Sequence, residues 1–384
     1  EVSIETGRHI FYHADAARTL RERLSEQEMT LAKVDAFRDA EIDGFFDELL
    51  LAEDTPELLV GAHQVLGQAL STAYRHHIDL TDPVTDAPTI RALRRILVDC
   101  DPMMAWADGA VAAYVEGGIE ETRLAGWRWH LQRVLGSIGG VSGADPRNVE
   151  PAELRRHTVT YGRATYPARD ARFIVFDNTG DYDKADGTPR FTPSTYESFR
   201  LAFLRTQRDE VDAIEAFGTL IWDIRFTDFD AEYNLARITW DESRHTEIGH
   251  RALAAAGYDP WELPNRLAPS LCRGDIEPEY SMAQINLFGE VGIMETIGGL
   301  IDRARERDDS LVAHIADFIR ADERTHVKKG QTILRAMTDL SMQDLELKTR
   351  EMFTECLVGL GAIIDEGQGL QVLTREEIER LIGE

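Results

Sequence analysis

The feature that most constrains this chain is a five-residue pattern written twice. Asp-Glu-x-x-His occurs as "DESRH" (241–245) and again as "DERTH" (322–326), each inside a segment with helical apolar periodicity. On a helix a spacing of three puts Glu242 beside His245, and Glu323 beside His326, about 60° apart on one face. A carboxylate and an imidazole offered together can share a metal ion, and a carboxylate can also bridge two ions roughly 3.5–4 Å apart. In a chain this rich in Glu, one ExxH arises by chance roughly once. A third instance, Glu247-x-x-His250, overlaps the first and reads as surface. The HExxH pattern of zinc proteases is absent, because Asp241 and Asp322 stand where its first His would be.

The two copies belong to a larger duplication. Helical periodicity predicts segments at roughly 194–226, 229–256, 277–307 and 310–337. The linkers between them are "TDFD", "GYDPWELPNRLAPSLCRGDIEPEY" and "DDS". Two tight hairpins joined by one long crossover have the connectivity of a four-helix bundle. Aligning "DEVDAIEAFGTLIWD" (209–223) with "GEVGIMETIGGLIDR" (289–303) matches Glu210 with Glu290 and Glu215 with Glu295. A single repeat at about eighty residues is a duplicated hairpin, not a solenoid. With one Glu from each first helix, the set becomes four carboxylates and two histidines, the recipe of di-iron carboxylate bundles. Which Glu each first helix supplies stays open at this level. Five residues is about 140° around a regular helix, so Glu210 and Glu215 cannot both face one ion unless the helix is bulged.

The remainder also reads as helical, and the expected fold class is all-α. Residues 16–50 have the pattern of one long amphipathic helix. Segments 55–77 and 86–100 open with a Thr or Asp cap and an early Pro, and 106–114 and 120–135 look helical too. Between 139 and 193 the chain turns rich in Gly, Asp and Pro, with "ARFIVF" (171–176) as its only strand-like run. The expected organisation is an N-terminal helical domain over 1–138, a connector over 139–193, a four-helix bundle over 194–340 and C-terminal helices over 341–384. The N-terminal domain carries no ExxH and is expected to cap the bundle or to form a homodimer surface.

Charge and cysteine content narrow the partners. Lys and Arg number 42 against 69 Asp and Glu, a net charge of −27 that argues against an extended nucleic-acid surface. The three cysteines are far apart and form no CxxC, which excludes a zinc ribbon or rubredoxin-type centre and fits a reducing cytoplasm. No apolar run approaches the ~18 residues of a membrane span, and the opening residues lack the pattern of a signal peptide. His63, His76, His77, His130 and His314 have no carboxylate at ligand spacing.

About 194–340, with "EVDAIE" (210–215) and the two DExxH copies, resembles the ferritin-like di-iron superfamily. Within it, the sequence is similar to a poorly characterised bacterial group akin to the tRNA-hydroxylating monooxygenases, whose first helix reads like E-L-Q-A-I-E. "LTDPVTDAPTIRALRRIL" (80–97) also looks like a helical region preceding that bundle in longer relatives. The resemblance implies a cofactor of two iron ions, with manganese as an alternative. It favours Glu210 and Glu290 as terminal ligands, 32 and 33 residues before Glu242 and Glu323, leaving Glu215 and Glu295 behind or beside the metals. Glu242 and Glu323 would bridge and be central to catalysis, while His245 and His326 would each hold one ion. Asp241 would support His326 and Asp322 would support His245, since a metal-bound His usually donates its other N–H to a carboxylate. The activity implied is an oxygenase or oxidase that uses O₂ and an external electron donor on a small-molecule substrate. A ferroxidase or storage protein, a tRNA hydroxylase and a metal-free scaffold are the competing readings.

Overall fold

The computed structural model describes residues 1–147, 150, 153–164, 172, 175–176, 195–224, 228–263, 265–266, 268–365 and 372–373. It is all-helical apart from three two-residue strands, and it divides into two compact units. One unit is Asp15–Arg163; the other joins Glu1–Ala14 to Ala164–Glu384. The division therefore falls inside the first helix, α1 (Val2–Glu26), and residues 139–163, expected in a connector, group with the first unit. No helix among the described residues is long and apolar enough to cross a membrane.

The Asp15–Arg163 unit contains the end of α1, then α2 (Leu31–Ala36), α3 (Ala40–Leu49), α4 (Thr55–Leu59), a π-helical stretch Val60–Gly67, α5 (Gln68–Leu80), α6 (Ala87–Glu116) and α7 (Glu121–Ser137). The single helix predicted over 16–50 is thus three. Glu28 takes a left-handed conformation (φ 66°), and its N–H reaches Ser25 O while Met29 N–H reaches Leu24 O. That pair of bonds is the Schellman stop, which normally uses Gly because other residues pay for the left-handed backbone. Asp39 then restarts the chain by capping the amides of Glu41 and Ile42. Phe45, Leu59, Val60, Leu124 and Leu131 are buried at the centre of this unit. Glu48, fully buried, accepts from the backbone amides of Arg155 and Arg156 and meets His130 at 2.6 Å. It caps the one turn Arg155–His157 and so ties the stretch after α7 to this core.

The other unit holds α8 (Tyr196–Asp209), α9 (Val211–Asp223), α10 (Phe229–Ala255), α11 (Ala268–Asp275), α12 (Pro278–Ala283), a π-helical turn Gln284–Gly289, α13 (Glu290–Arg305), α14 (Ser310–Met337) and α15 (Met342–Asp365). Strands β1 (Val175–Phe176), β2 (Asn265–Arg266) and β3 (Val372–Leu373) pair in parallel in the order β2-β1-β3. The end of the region expected to hold C-terminal helices, 374–384, and most of the 165–194 stretch lie outside the described residues.

Helix α10 packs along α8, α9 and α14, and α14 packs along α13. The α13–α14 hairpin closes on Asp308 (φ 55°), again with the two Schellman bonds, and Asp309 then caps the Val312 amide. Two apolar layers hold these helices together. One combines Phe217, Leu220, Leu235, Ile238, Ile333 and Leu334; the other combines Leu204, Leu253, Leu300, Ile301, Val312 and Ile319. Along α10 the segment 241–245 lies between the first layer and the second, and along α14 so does 322–326. The two DExxH copies are therefore a polar slab between apolar floors. The start of α1 adds to this unit: Phe11 stacks on Trp240 (4.9 Å, 10°), and Gly7 faces Ser243 where a Cβ would lie 2.0 Å from its Oγ. The sequence pattern did not anticipate this packing.

Candidate metal centre

Burying Glu and His in mid-helix costs desolvation, so their partners decide what they are for. Among the described residues, two groups of buried side chains could each hold an ion. They are Glu242, His245 and Glu323, and Glu242, Glu290 and His326, with ligand atoms within 4.8 Å of one another in each. Glu242 belongs to both.

The geometry is close to two-fold. Glu242 presents Oε2 to His245 Nδ1 at 3.2 Å and Oε1 to His326 Nδ1 at 3.1 Å. Glu323 does the same from α14, with Oε1 3.8 Å from His245 Nδ1 and Oε2 3.6 Å from His326 Nδ1. Each carboxylate thus offers one oxygen to each imidazole, whose ring centres stand 5.9 Å apart. Both Nε2 atoms point away from this centre. His245 Nε2 stands 3.3 Å from Asp322, and His326 Nε2 stands 3.3 Å from Asp241, each carboxylate coming from the opposite helix. Arg244 donates to both Asp241 (2.7 Å) and Asp322 (3.1 Å), and Arg237 grips Asp241 with two bonds of 3.0 Å.

Glu290 completes one side. It stands with Oε1 3.8 Å from His326 Nδ1, and its Oε2 accepts from Asn286 Nδ2 at 2.7 Å. The π-helical turn Gln284–Gly289 delivers this pair immediately before the regular helix that begins at Glu290. Bulges of this kind re-aim side chains and recur at functional sites. Asn286 also donates to the carbonyl of His326 at 3.2 Å, and it presses on Gly330, where a Cβ would lie 2.1 Å from Nδ2. Glu210, at the aligned place, is half-buried at the break between α8 and α9 and stands outside both groups. Glu215 is also half-buried and outside them; the side chain of Glu295 lies outside the described residues. Glu247 pairs with Arg251 at the surface, as read, while His250 is half-buried and packs on Trp261 at 5.1 Å; neither joins a group.

Electrostatics follow from burial and these contacts. Burial would raise Glu242, but His245 and His326 outweigh it and hold the carboxyl at about 2. Burial would lower His245, yet Asp322, Glu242 and Glu323 push it up to about 10; His326 rises likewise beside Asp241 and Glu242. Glu290 goes the other way, to about 8, through burial and the neighbouring charges of Glu323 and Glu242. The fit to a cation is visible in atoms left over. Glu290 Oε1, Glu323 Oε2 and His326 Nδ1 are buried without a hydrogen bond, although they converge. Such groups cost roughly 1–3 kcal/mol each unless something satisfies them. An all-oxygen-and-nitrogen set of this kind suits iron or manganese.

Sequence reasoning missed Asn286, the two arginines and one repeated glycine. The motif extends to DExxHxxxG in both copies, ending at Gly249 and Gly330. At Gly249 a Cβ would lie 2.1 Å from the Arg208 amide nitrogen, so both glycines let the first helix of a hairpin approach the second. That signal was readable from the alignment.

Comparison with protein-family models, curated proteins and solved structures gives no match. The all-helical structure and its two Glu/His groups nevertheless resemble a carboxylate-bridged di-metal site, consistent with the ferritin-like superfamily in its broad sense.

Proposed function

We propose that this chain is a non-haem di-iron oxidoreductase that uses O₂ to hydroxylate, desaturate or oxidise a small molecule, on a ferritin-like bundle formed by α8–α9, α10, α13 and α14. One observation carries the reading: Glu242 and Glu323 each extend one oxygen towards each of two histidine Nδ1 atoms. A site for one ion has no use for two carboxylates that reach two ways. Bound iron would supply the capacity to pass electrons from an external donor to O₂.

In this proposal the protein's part is holding and orienting. Glu242 and Glu323 would be shared between the two ions, His245 and His326 would each hold one, and Glu290 would help hold the one on the His326 side. Glu210 completes the set, as the resemblance implies. Asp241 and Asp322 accept the Nε2–H of the opposite imidazole, which fixes the tautomer with Nδ1 as the ligand atom. Arg244 ties the two aspartates together, so neither imidazole can turn without disturbing the other. The apolar layers on both sides keep the slab dry. Glu215 and Glu295 would support the ligands or face the substrate, as the resemblance implies.

The test is anaerobic loading with Fe(II), removal of unbound metal, and measurement of bound iron and of O₂ consumed with and without a reductant. Two irons per chain and reductant-dependent O₂ uptake are expected. Saturation at one iron, or iron-loaded protein that leaves O₂ untouched, refutes the proposal. Iron accumulating far beyond two per chain would favour storage.

A further inference from the structure

We propose that Cys272 and Cys356 form a redox site separate from the metal centre, closing to a disulfide when hydrogen peroxide oxidises Cys356 and Cys272 resolves the product. Helix α11, which carries Cys272, packs against α15, which carries Cys356. Cys272 is fully buried and donates its S–H towards the carbonyl of Phe353 at 3.8 Å. Phe353 and Cys356 are three apart on α15 and therefore share the face that meets α11. The Phe353 contact therefore brings the two thiols near enough for each to perturb the other.

The pair is unequal in a useful way. The neighbouring Cys272 holds the Cys356 thiol below its usual range, and Cys356 together with burial pushes Cys272 up. Cys356 is also the more exposed of the two. A nucleophilic, accessible thiol beside a resolving one is the arrangement that peroxide-sensing cysteines use. The third cysteine, Cys100, is buried in the other unit and is pushed up to about 11 by burial and the charges of Asp101 and Asp99. It serves as an internal control.

The chemistry balances with peroxide as the only added oxidant. The Cys356 thiolate attacks one peroxide oxygen, the O–O bond breaks and hydroxide leaves, giving a sulfenic acid. Cys272 sulfur then attacks that sulfur. The S–O bond breaks, the S–S bond forms, and water leaves with the Cys272 proton accounted for. Two thiols lose two electrons and one peroxide gains them. The new bond joins residues 84 apart and closes a loop that contains α12, the π-helical turn, α13 and α14. Every residue of the second hairpin then hangs on a covalent tie between α11 and α15.

The experiment treats the reduced full-length chain, kept metal-free with chelator, with a small excess of hydrogen peroxide. Thiols are then counted after denaturation and peptides are mapped by mass. The expected result is a fall from three thiols to one, a linked Cys272–Cys356 peptide, and a melting temperature at least ~5 °C above that of the reduced chain. Cys100→Ser should behave the same, losing both of its remaining thiols. Cys272→Ser should stall with Cys356 as a sulfenic acid that dimedone traps, and Cys356→Ser should retain Cys272 as a thiol. Three thiols retained in the wild type would overturn the proposal. So would a bond through Cys100, a disulfide between chains, or Cys356 running on to sulfinic acid while Cys272 stays reduced.

Discussion

Replacing Gly330 with Ala tests whether the helix approach at the motif's end positions the metal centre. In an open helical position this change stabilises by up to ~1 kcal/mol, because Ala is the better helix former. Gly298, in α13 with nothing within 4 Å of its Cβ position, is the open control. At Gly330 the added carbon would lie 2.1 Å from Asn286 Nδ2, far inside contact distance. Asn286 must withdraw, giving up its 2.7 Å bond to Glu290 and its 3.2 Å bond to His326 O. A buried polar group left without its partner costs about 1–3 kcal/mol, so after the helix gain a net loss of about 1–2 kcal/mol is expected. Disturbing such a supporting contact typically weakens metal binding about 10- to 100-fold. Urea unfolding and anaerobic Fe(II) titration provide the two readouts. Asn286→Ala should show a similar loss, and adding Gly330→Ala to it should cost nothing further and recover the helix gain. The two changes are therefore expected to be strongly non-additive. If Gly330→Ala stabilises as Gly298→Ala does and binds iron like the wild type, the positioning role of Asn286 is wrong.

Three further outcomes are expected. His245→Ala and His326→Ala should each lower bound iron below two per chain by elemental analysis, whereas a wild-type level in both would remove the imidazoles from the ligand set. Glu290→Ala and Glu210→Ala should impair iron loading while Glu215→Ala leaves it intact; the reverse pattern would place the first-helix ligand five residues later. Glu48→Gln should destabilise the Asp15–Arg163 unit in a pH-dependent way. Burial raises the Glu48 carboxyl, but the amides of Arg156 and Arg155 and His130 bring it below its ordinary 4.5. A group depressed on folding contributes fully above its unfolded value and loses that contribution as pH falls through the folded one. The gap between wild-type and Gln urea midpoints should therefore be widest above about pH 4.5 and shrink on acidification. A gap that grows in acid contradicts the sign.

The parts of this site readable in the sequence are those governed by side-chain period. Three-residue spacing places Glu242 with His245 and Glu323 with His326, and the duplicated hairpin brings α10 beside α14, where the crosswise Asp contacts form. The irregular parts were not readable. A π-helical turn at 284–289 shifts hydrogen bonds by one residue without any change in composition, and so does the break at Glu210. Yet those two irregularities decide where each first helix aims its carboxylates. Glu28 stops a helix in a left-handed conformation that its residue type disfavours, so the break inside 16–50 was not readable, whereas the stop at Asp308 was read from "DDS". The first fourteen residues carry no motif, and their place along α10 rests on contacts such as Phe11 with Trp240 that no local pattern encodes.

The three converging buried atoms without a hydrogen bond also bear on how long the chain lasts. An ion that satisfies them binds the folded form and has little to grip in the unfolded one, so it adds to stability by mass action, about 2.7 kcal/mol at a hundred times its dissociation constant. A change of that size alters the unfolded fraction roughly a hundredfold, and the unfolded fraction is what proteases clear. Under the proposed function, the abundance of this protein would follow metal supply: starved of the ion, the chain would be removed as well as idle.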